Sequence, residues 1–343
     1  MKVKEKSTAP ADAIKNKGKL SVGEFILKYN APIILVIVFI ASCFISPLFP
    51  TWGNLSTVLR QQAVYLVISM GMLMVIITAG IDLGAATTAT ISSIILGCCF
   101  LRWNIGTETV GGIWVAILLA VLTSTVIGVV NGFLVAKMRM PAFIVTLATN
   151  YAVNGICYII TKGNTMMLKG LPYEKLVYPG FAFKTFLGIP YTVILALAIV
   201  VIFYFVMKYT TFGRMVYAIG SNENAVQLAG INSKKYLFFV YLLNGLLSGI
   251  AGVLLVCRSG NATALTCSGD YAMSTIAGVV LGGASLAGGE GTVVYTVVGV
   301  FIIAIIGNIM NLCNVPSYPQ DIVTGCIIIF AVLLKSLSTK KQG

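Results

Sequence analysis

Apolar residues dominate this chain in long unbroken runs, without the every-other-residue alternation of a membrane barrel strand. Ten runs predict ten membrane helices, at about 30–49, 58–79, 83–101, 112–136, 141–161, 190–207, 236–257, 271–287, 292–312 and 319–334. The third and eighth are the weakest, being rich in Ala, Gly, Ser and Thr. The fold class this predicts is all-α and polytopic, with about ten transmembrane helices. A lysine-rich tail at 1–29 precedes the membrane domain at 30–335, and a short tail at 336–343 follows it.

One polar island, Thr210 to Lys235, interrupts the apolar pattern. Ser221 suits an N-cap, Glu223 falls in the first turn where the helix dipole favours a negative charge, and Gly230 suits the C′ stop. Asn222 to Ala229 then predicts about two turns, on the order of 12 Å. A capped surface helix of this kind can dock a partner; an ordinary solvated loop is the competing reading.

Composition agrees with the pattern. The chain is 58% hydrophobic and 10% charged, against roughly a quarter charged in a soluble domain. The net charge of +13 would suggest nucleic acid in a soluble protein. Here sixteen of the 23 Lys and Arg fall on one side if the amino terminus is cytoplasmic, which predicts both termini and the 208–235 segment inside and no nucleic-acid partner. Histidine is absent, which removes His triads, His metal sites and His proton relays. The eight cysteines form no CxxC pair and read as small buried apolar residues, although Cys257, Cys267 and Cys313 could approach one face.

Glycines recur four apart at Gly80/Gly84, Gly128/Gly132, Gly245/Gly249 and Gly278/Gly282, a spacing that lets helices approach closely in lipid. The runs Gly282-Gly283 and Gly288-Gly289 suggest broken or re-entrant helix, and TAGIDLG (78–84) and LGGASLAGG (281–289) look faintly alike, as internal repeats of transporters do. The carboxylates Asp82, Glu290 and Asp321 sit at or near span ends, leaving the span interiors without a charge. Proton- or ion-coupled carriers commonly keep such charges; their absence points to a pathway driven from outside the membrane and to a neutral polar cargo. The uncharged polar residues within spans, Asn131, Asn150, Asn154, Asn244, Asn308 and Asn311 with Thr146 and Thr149, can contact sugar hydroxyls or join helices. No phosphate-binding loop of the G-x-x-x-x-G-K-[ST] type is present, so an ATPase, if one drives the chain, is a separate subunit.

Four segments, in order, resemble the membrane permease subunit of ribose-type ABC importers: ITAGIDLG (77–84), NGFLVAKMRMPAFIVTLAT (131–149), TTFGRMVYAIGSNENAVQLAGI (210–231) and VVLGGASLAGGEGTV (279–293). The resemblance implies a multi-pass subunit of the bacterial inner membrane that translocates a small neutral sugar. It implies no cofactor on this chain, ATP and magnesium being used by partner ATPase subunits. Further partners would be an extracytoplasmic sugar-binding protein, at loops near 162–189 and 258–272, and a second permease subunit, identical or sibling. Carried onto this chain, the coupling helix that docks in the ATPase is Ser221, Asn222, Glu223, Ala225, Leu228 and Gly230, with Asn222 and Glu223 making polar contacts and Ala225 and Leu228 apolar ones. A stand-alone secondary carrier, a membrane enzyme and a scaffold are the competing classes.

Overall fold

A computed structural model describes residues 30–106, 109–168, 184–265 and 270–340. The tail at 1–29, Cys267 and most of the 162–189 loop lie outside these residues. The helices are α1 (Asn30–Ile45), α2 (Trp52–Ile77), α3 (Ala85–Leu101), α4 (Val110–Gly132), α5 (Ala142–Thr161), α6 (Tyr191–Tyr209), α7 (Thr211–Leu228), α8 (Ser233–Ser259), α9 (Asp270–Leu281), α10 (Val293–Leu312) and α11 (Ser317–Lys340). A π-helical turn, Phe133–Lys137, prolongs α4.

Threonine repeatedly starts these helices. The hydroxyls of Thr51, Thr109, Thr210 and Thr292 each accept from the backbone N–H three residues on, which satisfies a donor that has no helical partner. Three helices carry most of the burial. α2, α3 and α8 form the centre, while α4, α5 and α6 lie outside, with a third or less of their spanning residues buried. Trp114, Leu118, Leu122, Val126 and Val130, four residues apart, run exposed down α4 as a lipid-facing stripe.

Small residues bring α4 and α8 into backbone contact. A Cβ on Gly128 would stand 2.9 Å from the Gly245 Cα, and one on Gly132 would stand 2.8 Å from the Phe238 carbonyl oxygen. The Ser92 and Ser124 hydroxyls donate across helices to the carbonyls of Gly249 and Thr88, each at 2.8 Å. The Gly278/Gly282 pair packs in the same way against α10. Gly80 and Gly84 do not belong to this set, because they fall in a break between helices.

Among the described residues six helices are long and apolar enough to span a membrane: α2, α4 with its π-turn, α5, α6, α8 and α10. α1, α3 and α9 are shorter apolar helices, so the count of ten full spans is not met on length. The reason is local. The weak runs at 83–101 and 271–287 lose residues to glycine-containing breaks at 78–84 and 282–292, leaving α3 with 17 residues and α9 with 12. At 1.5 Å per residue these reach about 26 and 18 Å, short of a hydrocarbon core of about 30 Å. α11 in turn runs to Lys340, beyond the expected end of the last span at 334.

The connections gather at two ends of the bundle. At one end meet 78–84, 138–141, the segment around α7, and 282–292. At the other, strands β1 (Met166–Met167) and β4 (Asn261–Ala262) pair antiparallel and join the loops before α6 and after α8. A hairpin of β2 (Thr185–Phe186) and β3 (Ile189–Pro190) precedes α6, turning on Leu187 and Gly188 with positive φ. Cys257 is buried, Cys313 is exposed and both are free.

Candidate functional site

The polar island is mostly helical, not a solvated loop. α7 runs from Thr211 to Leu228 and is broken at Asn222, whose φ of −162° and ψ of 96° are extended. The break corrects the expected cap. Asn222, not Ser221, ends the first half and starts the second, its Oδ1 accepting from the Ala225 N–H at 3.0 Å. Gly230 has a φ of 78° and open space around it, as the helix stop requires.

The second half of α7 presents one face inward. Val226 is buried with Ile219, Ala136 and Leu237, so both halves of the kinked helix share one small apolar cluster with the π-turn and α8. Ala225 and Leu228 face away, and Leu228 is 90% exposed. Leu228 is thus open to contact from outside the chain.

Glu223 is committed within the chain. Its Oε1 pairs with Arg139 and accepts from the Ser233 hydroxyl at 2.7 Å and the Gln227 amide at 3.0 Å. Arg139 reaches it from a left-handed backbone position, φ 60°, just after the π-turn. Partial burial pushes the Glu223 carboxyl up, but the bonds from Ser233 and Arg139, with the guanidinium charge, outweigh it and hold it below the usual glutamate range. A depressed folded value means the anchoring is present above the ordinary range and is lost as pH falls through the folded value. Glu223→Lys sets a second cation beside Arg139 and removes all three bonds. Insertion should be unchanged while uptake falls severalfold and ATP hydrolysis continues, read by comparing the two rates in vesicles; normal uptake would show that the anchor has no part in coupling.

The first half of α7 sits in a seat made by both glycine-containing breaks. A Cβ on Gly220 would overlap the Ile77 carbonyl oxygen at the end of α2 and stand 2.6 Å from the Gly289 N–H. Gly289 N–H donates to that same Ile77 oxygen at 2.8 Å, and the Tyr217 hydroxyl donates to the Gly291 carbonyl at 2.7 Å. Positive φ at Gly283, Gly288, Gly289 and Gly291 lets the loop fold flat beneath the helix. The two faintly similar segments are therefore neighbours, with the first half of α7 lying on both.

The asparagines separate into two sets. Asn131 is buried and accepts from Thr149 at 2.7 Å, Asn150 accepts from Thr87, and the Asn244 amide donates to Asp82 at 2.6 Å. These three join helices. Asn154 is half-buried on α5. Asn308 exchanges two amide bonds of 2.9 Å with Asn54, and Asn311 accepts from Gln320 at 2.8 Å; both line a cavity. Asp82, expected only as a span-end residue, is buried. Sequence reading also missed Arg139, Ser233 and Gly220, whose only signals were a basic residue before Pro141, a polar residue after the helix stop and a mid-helix glycine.

This arrangement has a polar anchor, a bare apolar helix end, and a seat formed by the end of central α2 and the loop before α10. Residues 54–332, from α2 through most of α11, match the family model described as branched-chain amino acid transport system / permease component. The chain belongs to this permease family. It is 33% identical to the ribose import permease protein of Haemophilus influenzae, over 93% of this chain and 97% of that protein. It is 36% identical to the ribose import permease protein of Bacillus subtilis, over 94% of each, and 31% identical to the L-arabinose transport system permease protein of Escherichia coli, over 95% of each. No solved structure matches it. The matched region takes in the seat, the kinked helix and the Arg139–Glu223 anchor together.

Proposed function

We propose that this chain is the multi-pass permease subunit of an inner-membrane importer for a small neutral sugar of the ribose type, driven by ATP hydrolysis in a separate cytoplasmic subunit. The observation that carries the reading is the second half of α7. It is capped by Asn222, anchored by Glu223 and left with Ala225 and Leu228 bare. Those two side chains supply the apolar contact with the ATPase and Asn222 a polar one, while Glu223 holds the helix to the permease.

The loop charges orient the molecule. Both termini and the α7 end are cytoplasmic, and the β1/β4 end faces outward, where a sugar-binding protein delivers cargo. A second permease subunit completes the membrane part. The relatives' names include ribose and L-arabinose, and the uncharged asparagines of the spans suit a neutral polyhydroxyl cargo.

Co-purification tests the reading. The chain is expressed with its ATPase, with and without residues 222–229, and loss of the ATPase from a still-folded permease is expected on deletion. Retention of the ATPase would remove α7 as the docking element. Leu228→Asp is the finer probe, since so exposed a residue can change without disturbing the fold. An apolar anchor at an interface centre contributes about 2 kcal/mol, so ATPase affinity should fall roughly thirtyfold with thermal stability unchanged.

A further inference from the structure

At the outward end, α2, α9, α10 and α11 line an open-mouthed cavity of about 180 Å³. Water needs about 10–15 Å³ of such space, so it has room for a guest on the order of a dozen waters. In a chain this apolar, its lining is unusual. Carboxamides converge from three helices: Gln61 and Gln62 from α2, Asn308 and Asn311 from α10, and Gln320 from α11. Asp321 stands beside them, and no Lys or Arg lines the space.

Most of these groups are held in place by their neighbours. Asn308 is fixed by Asn54, and Gln320 spans from the Asn311 amide to the Val315 carbonyl, both at 2.8 Å. Gln62 differs. It is 7% exposed and its carboxamide makes no hydrogen bond with any described residue. Its amide opens onto the cavity and offers two donors and an acceptor into a space that can hold a guest. Gln61, one residue earlier, is exposed at the rim. Tyr65, stacked on Tyr271 with ring centroids 4.5 Å apart, adds an aromatic wall.

Donors and acceptors in equal measure, an aromatic surface and a carboxylate in place of a cation suit a neutral polyol and disfavour an anion. We propose that this cavity is a monosaccharide-binding subsite within a single permease chain, on the outward half of the path, with Gln62 a direct ligand of the sugar. The assignment rests on the importer reading above and adds to it a place and a residue.

The test uses the complete importer in membrane vesicles, carrying Gln62→Cys or, at the exposed rim where folding is not at risk, Gln61→Cys. A hydrophilic methanethiosulfonate reagent is added, and modification at the introduced cysteine is followed by mass spectrometry. Labelling is expected at both positions, slowed severalfold by D-ribose, D-xylose or L-arabinose and unchanged by ribose 5-phosphate. Labelling that no neutral sugar slows would make the cavity a hydrated gap between helices and overturn the proposal, as would complete resistance to the reagent at both positions. ATP-driven sugar uptake by the unsubstituted importer is measured alongside. Its presence with unprotected cysteines would sink the subsite alone, and its absence would sink the importer reading as well.

Discussion

Gly220→Val is expected to abolish transport, and to do so by unseating α7. The glycine lies where helix backbone meets helix backbone, and any Cβ there overlaps the Ile77 carbonyl and crowds Gly289. No flexible side chain is available to give way, so either α7 lifts from α2 or the glycine loop moves. Overpacking of this kind typically costs about 1–3 kcal/mol. Breaking the Gly289-to-Ile77 hydrogen bond adds about 0.5–1.5 kcal/mol. The second half of α7 would remain capped and anchored at Glu223, so an ATPase docked there as proposed should still bind. Its stroke would no longer reach α2 and the loop before α10. The expected result is an ATPase that co-purifies and hydrolyses ATP with no sugar uptake, or, if the shift spreads, a protein of lowered thermal stability in detergent. Gly230→Val is the control. Nothing lies near that glycine, and its positive φ of 78° makes a valine costly only locally, by fraying the helix stop. It should weaken ATPase capture while leaving the seat intact. Normal uptake by Gly220→Val would show that movement passes to the bundle by some other contact.

The membrane helices and the short polar helix were readable because their signals are local. Continuous apolar runs mark spans, and a cap residue, an acidic first turn and a glycine stop mark a short helix. The identity of the cap was off by one residue, since Ser and Asn are equally good caps and only the backbone break at Asn222 decides between them. The two short helices read as full spans for a similar reason. Small residues in 83–101 and 271–287 look membrane-compatible, and only the pairing of the breaks in space shows where the helix stops. Arg139 and Glu223 are 84 positions apart and Asp82 and Asn244 are 162 apart. Neither pair has a periodicity to betray it. Charge counts grouped Arg139 with the 208–235 segment, for a reason unrelated to the salt bridge that joins them. The asparagines of the spans looked alike in sequence, and only the structure separates helix-joining Asn131, Asn150 and Asn244 from Asn308 and Asn311 at the cavity.

Asp82→Ala is expected to prevent accumulation of folded protein altogether. Asp82 stands in the break between α2 and α3, buried, where backbone groups have lost their helical partners. Its Oδ1 accepts from the Gly84 N–H at 2.7 Å, its Oδ2 accepts from the Asn244 amide at 2.6 Å, and the Ala85 N–H also donates to it. Neighbouring backbone is tied in by Thr146, which accepts from the Leu83 N–H at 3.2 Å and donates to the Ile81 carbonyl at 3.1 Å. One carboxylate thus starts α3 and fastens it to α8, while Thr146 fastens the same break to α5. Alanine would orphan three buried donors at about 1–3 kcal/mol each, a loss comparable to the roughly 5–15 kcal/mol that keeps a domain folded. Asp82→Asn separates capping from charge. It keeps the acceptor for Gly84 and brings an N–H against the Asn244 amide. That clash is relieved if the Asn244 side chain turns over, because its Oδ1 has no partner to lose. If Asp82 serves as a cap and a clamp, Asp82→Asn should accumulate and transport near the unsubstituted level while Asp82→Ala does neither, measured by membrane content and uptake. An Asp82→Asn protein that accumulates but is silent would mean the negative charge itself takes part in the transport cycle. The span interiors would then be less electrically neutral in function than their composition suggests, and the carboxylate in the break would have to be counted with the pathway.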